Sequence, residues 1–254
     1  MDVKLLQEDL DHLQNWEKDW EMEFHPQKCQ LLRVTNKKKI INAKYNIHGH
    51  TLDNVETAKY LGVTMDRSLT WNQHIADISR KANGVKSFLQ RNLHQCPRKT
   101  KTSCYEYLVR PLLEYASTIW DPWTKNNINK LEAVQRRSAR FSLNDYSPYS
   151  SPTSMLEELK WPTLAERRAR SKVTMMYRIV HHQVAIDPAM LIPATASNRG
   201  HTSKFHLPYA RTHAYKNSFF PKAIRLWNSL PPHIVDSKTI DSFKANVNKS
   251  LLLG

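Results

Sequence analysis

From Trp71 to Val180, apolar residues recur at three- and four-residue spacing and are interrupted by prolines rather than glycines, a pattern that commits most of the chain to helices. Ile75, Ile78, Ala82, Val85 and Leu89 make one stripe, while Arg80, Asn83, Ser87 and Arg91 fall on the other side of the same helix. The spacing predicts a second helix near residues 98–120, kinked at Pro111. A third, near 125–143, turns Ile128, Leu131, Val134 and Phe141 inward and Arg136 and Arg140 outward, with Glu132 one turn before Arg136 as its ion-pair partner. Thirteen prolines against five glycines suit proline-stopped helices and argue against an all-β fold.

The first seventy residues are different. Leu5, Leu6, Leu10, Leu13, Trp16 and Trp20 predict an amphipathic helix ending before Pro26. After it, QKCQLLRVTN reads as a short buried strand, and the stretches KKKII to KYNIHGHTLD and VETAKYLGVTMD read as strands with Gly49 near a turn. Within KYLGVTMD, residues 59–66, Leu61, Val63 and Met65 alternate with Tyr60, Gly62 and Thr64, as in one half-buried strand. These strands are too few for a sheet of much independent stability.

Two further helix starts are marked by capping boxes, Ser154 with Glu157 and Thr163 with Glu166, separated by Pro162. The second opens LAERRARSKVTMMYRIVHH, in which Ala169, Val173, Met176 and Val180 form a core stripe and Arg167, Arg168 and Arg178 lie off it. Periodicity is lost over 184–215, which reads as loop. The segments SFFPKAIRLWNSLPPHIV and TIDSFKANVNKSLL then read as closing helices, the last with Ile240, Phe243, Val247 and Leu251 at helical spacing.

A net charge of +15 points to a polyanionic partner, nucleic acid before membrane. No run approaches the ~18 apolar residues of a spanning helix, and the N-terminus lacks the pattern of a signal peptide, so a cytosolic or nuclear, not secreted, protein is expected. The charge is segregated: residues 1–24 hold eight acids and two lysines, while residues 78–105 hold seven bases and no acid. A second acid-free span covers 188–235. Such blocks favour a surface that tracks phosphates. Cys29, Cys96 and Cys104 contain no CxxC pair and read as reduced, mostly buried thiols. The twelve histidines include no convergent metal-binding pattern.

Seven segments, in order, carry a resemblance: LQEDLDHLQNWEKDWEMEFHPQKCQLL, KYLGVTMD, HIADISRKANGVKSFLQRNLHQCPRKTK, YLVRPLLEYASTIWDPW, LEAVQRRSARF, SMLEELKWPTLAERR and SFFPKAIRLWNSLPPHI. Together they resemble the C-terminal third of reverse transcriptases from non-LTR (LINE, jockey-like) retrotransposons. The resemblance implies an α+β chain: a late palm remnant over 1–71, a helical thumb-like bundle over 72–183, and a loop-rich linker with C-terminal helices over 184–254. Lys28 matches the motif D lysine, which is expected to help protonate departing pyrophosphate. His25 stands where that family usually has Asn.

In the same resemblance KYLGV belongs to the primer-grip hairpin, with Tyr60 and Gly62 as its presenting face. The basic helices that follow imply contact with RNA or an RNA/DNA duplex through Arg80, Lys81, Lys86, Arg91, Arg98, Lys99, Lys101, Arg136 and Arg140. The resemblance implies that the complete family enzyme holds divalent metal, magnesium, on an aspartate and an Asp-Asp turn. This sequence contains no Asp-Asp pair, and Asp53, Asp66 and Asp121 are turn-like candidates. The expectation is therefore a truncated polymerase without a cofactor of its own, inactive alone and served by a separate palm and fingers polypeptide. The alternatives are the product of a decayed element and a helical scaffold that binds proteins through Trp120, Trp123, Trp161 and Trp227.

Overall fold

The computed structural model describes residues 3–35, 37, 39, 41–188, 191–194 and 201–250. The chain divides into two units, Met1–His74 and Ile75–Gly254, and the architecture is α+β.

The first unit opens with helix α1 (Val3–Asp19) and a single 3₁₀ turn at Pro26–Lys28. Six short strands follow: β1 (Gln30–Leu32), β2 (Asn46–Ile47), β3 (His50–Thr51), β4 (Asp53–Val55), β5 (Thr57–Tyr60) and β6 (Val63–Asp66). They pair as parallel β1–β4, antiparallel β2–β3 and antiparallel β5–β6. Lys38 and Ile40 of the expected KKKII strand lie outside the described residues.

Both hairpins close on two-residue turns in which each residue has positive φ: His48 (50°) with Gly49 (73°), and Leu61 (46°) with Gly62 (83°). That type I′ geometry matches the twist of paired strands. KYLGVTMD is thus two strands and a turn, a correction to the single strand read from its alternation. Gly62 accepts the left-handed backbone, and the strand preference of Leu61 yields to it.

The amphipathic helix α1 is formed, with most of its leucine and tryptophan stripe in solvent. Leu5, Leu13, Trp16 and Trp20 are exposed, Trp20 by 66%. The helix instead holds the β2–β3 hairpin with polar groups. Gln7 exchanges two hydrogen bonds with the backbone of Asn46, Gln14 accepts from His48 N–H, and buried Glu17 pairs with the His48 ring at 2.7 Å. Two-stranded sheets are marginal alone, so these polar ties matter to the unit.

Between β6 and the next helix, α2 (Asn72–Asn92), one carboxylate fixes the turn. Asp66 accepts hydrogen bonds from the backbone N–H of Ser68, Thr70 and Trp71 and from both hydroxyls, at 2.6–3.2 Å. These bonds outweigh the upward push of burial and hold its pKa below the ordinary carboxylate value.

In the second unit, α2 buries Ile75, Ala82 and Leu89 as its stripe requires. The segment after it is helical in pieces: α3 (Arg98–Cys104), a π-helical turn at Tyr105–Val109, α4 (Arg110–Glu114) and α5 (Ser117–Trp120). The kink expected at Pro111 takes the form of that π turn, where Arg110 N–H reaches back to Tyr105 carbonyl, five residues earlier. Ala116, left-handed at φ 53°, separates the last two pieces.

The elements α6 (Lys125–Leu143), α7 (Pro152–Glu158) and α8 (Leu164–Val180) come next. The Thr163–Glu166 capping box is formed, but Ser154 lies inside α7, whose start falls at Pro152 with Ser151 as its cap residue. Glu132 does not serve Arg136. It is buried and accepts from Leu164 and Ala165 N–H at 3.2 and 2.9 Å, so it caps α8 from another helix.

The chain ends in α9 (His213–Lys216), α10 (Phe219–Asn228), α11 (Pro232–Val235) and α12 (Ile240–Ser250). Val173, Met176, Tyr177 and Ile179 of α8 pack with Ile224, Trp227, Ile234, Phe243 and Val247 into one core. Leu251, expected on the last stripe, lies outside the described residues. The 201–206 part of the expected loop is tied to α10. Phe205 and Asn228 exchange two hydrogen bonds, and Trp227 Nε1–H donates to Ser203 carbonyl.

Candidate nucleic-acid interface

The residues named from sequence occupy three kinds of environment. In the first unit Lys28 is exposed at the end of the 3₁₀ turn. Tyr60 is 66% exposed at the tip of the β5–β6 hairpin beside Leu61 and Gly62, so the tip presents one ring and backbone to solvent. In the second unit Lys81, Arg91 and Lys99 are exposed, with no carboxylate partner among the described residues. Arg136 is half-buried.

The others are engaged. Arg80 pairs with Asp77 at 2.9 Å, and Arg98 pairs with Glu158. Arg140 spends its guanidinium on the carbonyls of Ser147 and Ser150 at 2.8 and 3.3 Å. Lys101 is a correction as a surface residue. It is 4% exposed, its ammonium 5.4 Å from the centre of the Phe141 ring, because α3 packs on α6 there.

Two cations are brought together by the helix packing. Arg137 Nε–H donates to Asn83 Oδ1 at 3.2 Å, which joins α6 to α2. Burial, and then the charge of Arg137, hold the Lys86 ammonium below the usual lysine range. Lys86 donates to Gln90, and Gln90 in turn donates to the hydroxyl of Tyr146, which is exposed. Periodicity marked Arg136 and Arg140 and passed over Arg137; only its contact with α2 distinguishes it from its neighbour. The arrangement is two cations, two amides and a phenol with no acid among them, which suits a phosphate oxygen.

The carboxylates do the opposite. Asp121 receives Arg168 at 2.9 Å, Lys172 at 3.0 Å and Lys222 at 2.9 Å. Arg168 and Lys172 are 2% and 1% exposed, so Arg168, expected off the core, is inside it. Burial pushes the Asp121 carboxyl up, but Lys172, Lys222 and Arg168 outweigh that and hold it below the carboxylate range. Burial likewise lowers Lys172, with Asp121 acting against it. Asp66 is committed to its turn and Asp121 to its cations, so neither is available to a metal ion. Among the described residues no three His, Cys, Asp or Glu converge on a point, and the metal of a complete polymerase does not fit them. No helix among the described residues is long and apolar enough to cross a membrane.

The tryptophans offered as a protein-binding patch are mostly interior. Trp120, Trp161 and Trp227 are buried. The three cysteines are free and half-buried, less enclosed than expected.

The chain is similar to the probable RNA-directed DNA polymerase from transposon BS of Drosophila melanogaster, 29% identical over 201 residues, which is 76% of this chain and 22% of that protein. It is similar to the RNA-directed DNA polymerase from mobile element jockey of Drosophila melanogaster, 25% identical over 180 residues (70% and 19%). The jockey polymerase of Drosophila funebris is 28% identical over 166 residues (64% and 18%). The chain thus spans about a fifth of the length of the curated relatives it matches. No family model and no solved structure matches it.

Proposed function

We propose that this chain is a reverse-transcriptase-related protein of non-LTR element type that holds RNA or an RNA/DNA duplex through its basic helices and carries no polymerising centre of its own. Residues 1–71 then correspond to the late palm with Lys28 in motif D, the Tyr60–Gly62 tip to the primer grip, and the helices from α2 to α8 to the thumb. The observation that carries the reading is the acid-free cluster of Lys86 and Arg137 on α2 and α6, flanked in sequence by the exposed bases Lys81, Arg91 and Lys99. Similarity to four transposon polymerases supports the nucleic-acid class. The exposed apolar face of α1 supports packing against further palm polypeptide.

The test is equilibrium binding of a labelled RNA/DNA hybrid across a salt series. Affinity falls steeply with salt, and Lys86→Gln with Arg137→Gln weakens it and lowers the log–log slope by roughly one to two units, one per lost phosphate contact. Binding independent of salt, or unchanged in the double variant, overturns the reading. Primer extension with magnesium is expected to be absent, and extension by the purified chain overturns the catalytic half of the proposal.

A further inference from the structure

A groove of about 460 Å³ runs between α8 and α12 and includes none of the residues proposed above to contact nucleic acid. On α8 its wall is Arg167, Arg170, Ser171, Thr174, Met175 and Arg178, positions that share one helical face. Lys244, Val247 and Asn248 of α12 and Thr118 of α5 complete the lining, and no acid is among the lining residues.

The four cations are not equivalent. Arg167 is held by Glu114, with Nη2 at 3.0 Å from Oε2, and closes one end of the groove. Lys244 has only a loose pairing with Asp241 at 3.7 Å, whose side chain is in solvent. For Arg178 the described residues offer no side-chain acceptor.

Arg170 is the most telling. Arg170 lines the groove, and its Nε and Nη2 are buried with no hydrogen-bond acceptor among the described residues. These two nitrogens form the side-on fork of a guanidinium, the edge that grips two oxygens of one phosphate. Buried donors without an acceptor are costly, so turning this edge of the Arg170 side chain toward an oxygen in the groove gains what the protein leaves unmade.

We propose that this groove binds the phosphodiester backbone of a single nucleic-acid strand, with Arg170 and Arg178 on phosphates. The inference rests on the nucleic-acid reading above and assigns it a second contact. Eight residues separate the two arginines, about 12 Å along the helix, so the site is a track and not a point. Ser171, Thr174, Thr118 and Asn248 supply hydroxyl and amide groups for phosphate and ribose oxygens, and Met175 and Val247 an apolar floor for the sugar. A groove of about 460 Å³ is sized for a short run of one strand's backbone.

The experiment uses the full chain and fluorescence anisotropy with a labelled single-stranded RNA, in parallel with the RNA/DNA hybrid. Arg170→Gln with Arg178→Gln is expected to weaken single-strand binding about tenfold or more and to reduce the salt slope by roughly 1.4, two phosphates at about 0.7 each. Thr174→Glu, which leaves both arginines in place, is expected to weaken it in the same direction and decides the matter should the double variant fail to fold. Single-strand binding at wild-type strength in the folded double variant, or in Thr174→Glu, overturns the groove while the hybrid measurement leaves the general reading standing. A wild-type chain that binds neither probe overturns both. Inorganic pyrophosphate at matched phosphate concentration is expected to compete poorly. Competition equal to that of RNA reassigns the groove to free phosphate and overturns the strand.

Discussion

The two sides of α8 carry the same residue types and treat them in opposite ways. On one side Arg168 and Lys172 are buried and share Asp121 with Lys222. On the other, Arg170 and Arg178 line a groove with no acid among its lining residues, and two buried donors of Arg170 lack an acceptor among the described residues. The lesson is that net charge overstates the surface available to a polyanion. A cation beside a carboxylate or under an aromatic ring is structural, and what remains for a ligand is set by neighbours.

The largest expected effect breaks the buried side. Asp121→Asn leaves Arg168 and Lys172 enclosed without a counter-charge and is expected to cost about 3–5 kcal/mol in urea unfolding. The same carboxyl makes stability depend on acid. Its folded pKa is below the ordinary 3.8, so its contribution is whole above that value and is lost as pH falls through the folded pKa. Urea midpoints measured at decreasing pH are expected to drop in the wild type, and less in Asp121→Asn.

Next comes the start of the helix that both sides share. Glu132→Ala removes a buried acceptor from Leu164 and Ala165 N–H and is expected to cost about 1–3 kcal/mol, read by the same unfolding. Lys172→Met sharpens the comparison further. It deletes one buried charge while Arg168 and Lys222 still neutralise Asp121, and the expected change is within about 1 kcal/mol of wild type. Smallest of all, Arg178→Gln on the open side is expected to move stability by less than about 0.5 kcal/mol. A loss comparable to that of Asp121→Asn would show that the open side is structural too.

Much of the second unit was legible because its helices obey a local period. The Ile75, Ala82 and Leu89 stripe, the Thr163–Glu166 box and the break at Pro111 each depend on residues close in sequence. What escaped depends on distant partners. Arg168 reads as outward until Asp121, 47 residues away, is placed beside it. Glu132 has a plausible partner at Arg136 and a real one 32 residues on, at the start of another helix. Lys101 is drawn inward by Phe141. In the first unit the difficulty was different: Leu61 and Gly62 continue an apolar alternation through a turn, so a hairpin tip looked like the middle of a strand. Of the interface, the exposed Lys81, Arg91 and Lys99 were readable as basic surface, whereas Arg137 and Arg170 needed the packing of helices to be seen.

The π turn at Tyr105–Val109 has a consequence of another kind. A π turn fits one more residue into the helix than α geometry allows, and each α residue advances by about 100°. Removing one residue from this stretch would leave a regular helix with Trp120 and Asp121 close to their present seats, whereas removing one from the regular turns of α3 would swing everything beyond it by that angle. The π turn works as slack in the helix, taking up a residue while the carboxylate that holds the buried cations keeps its place.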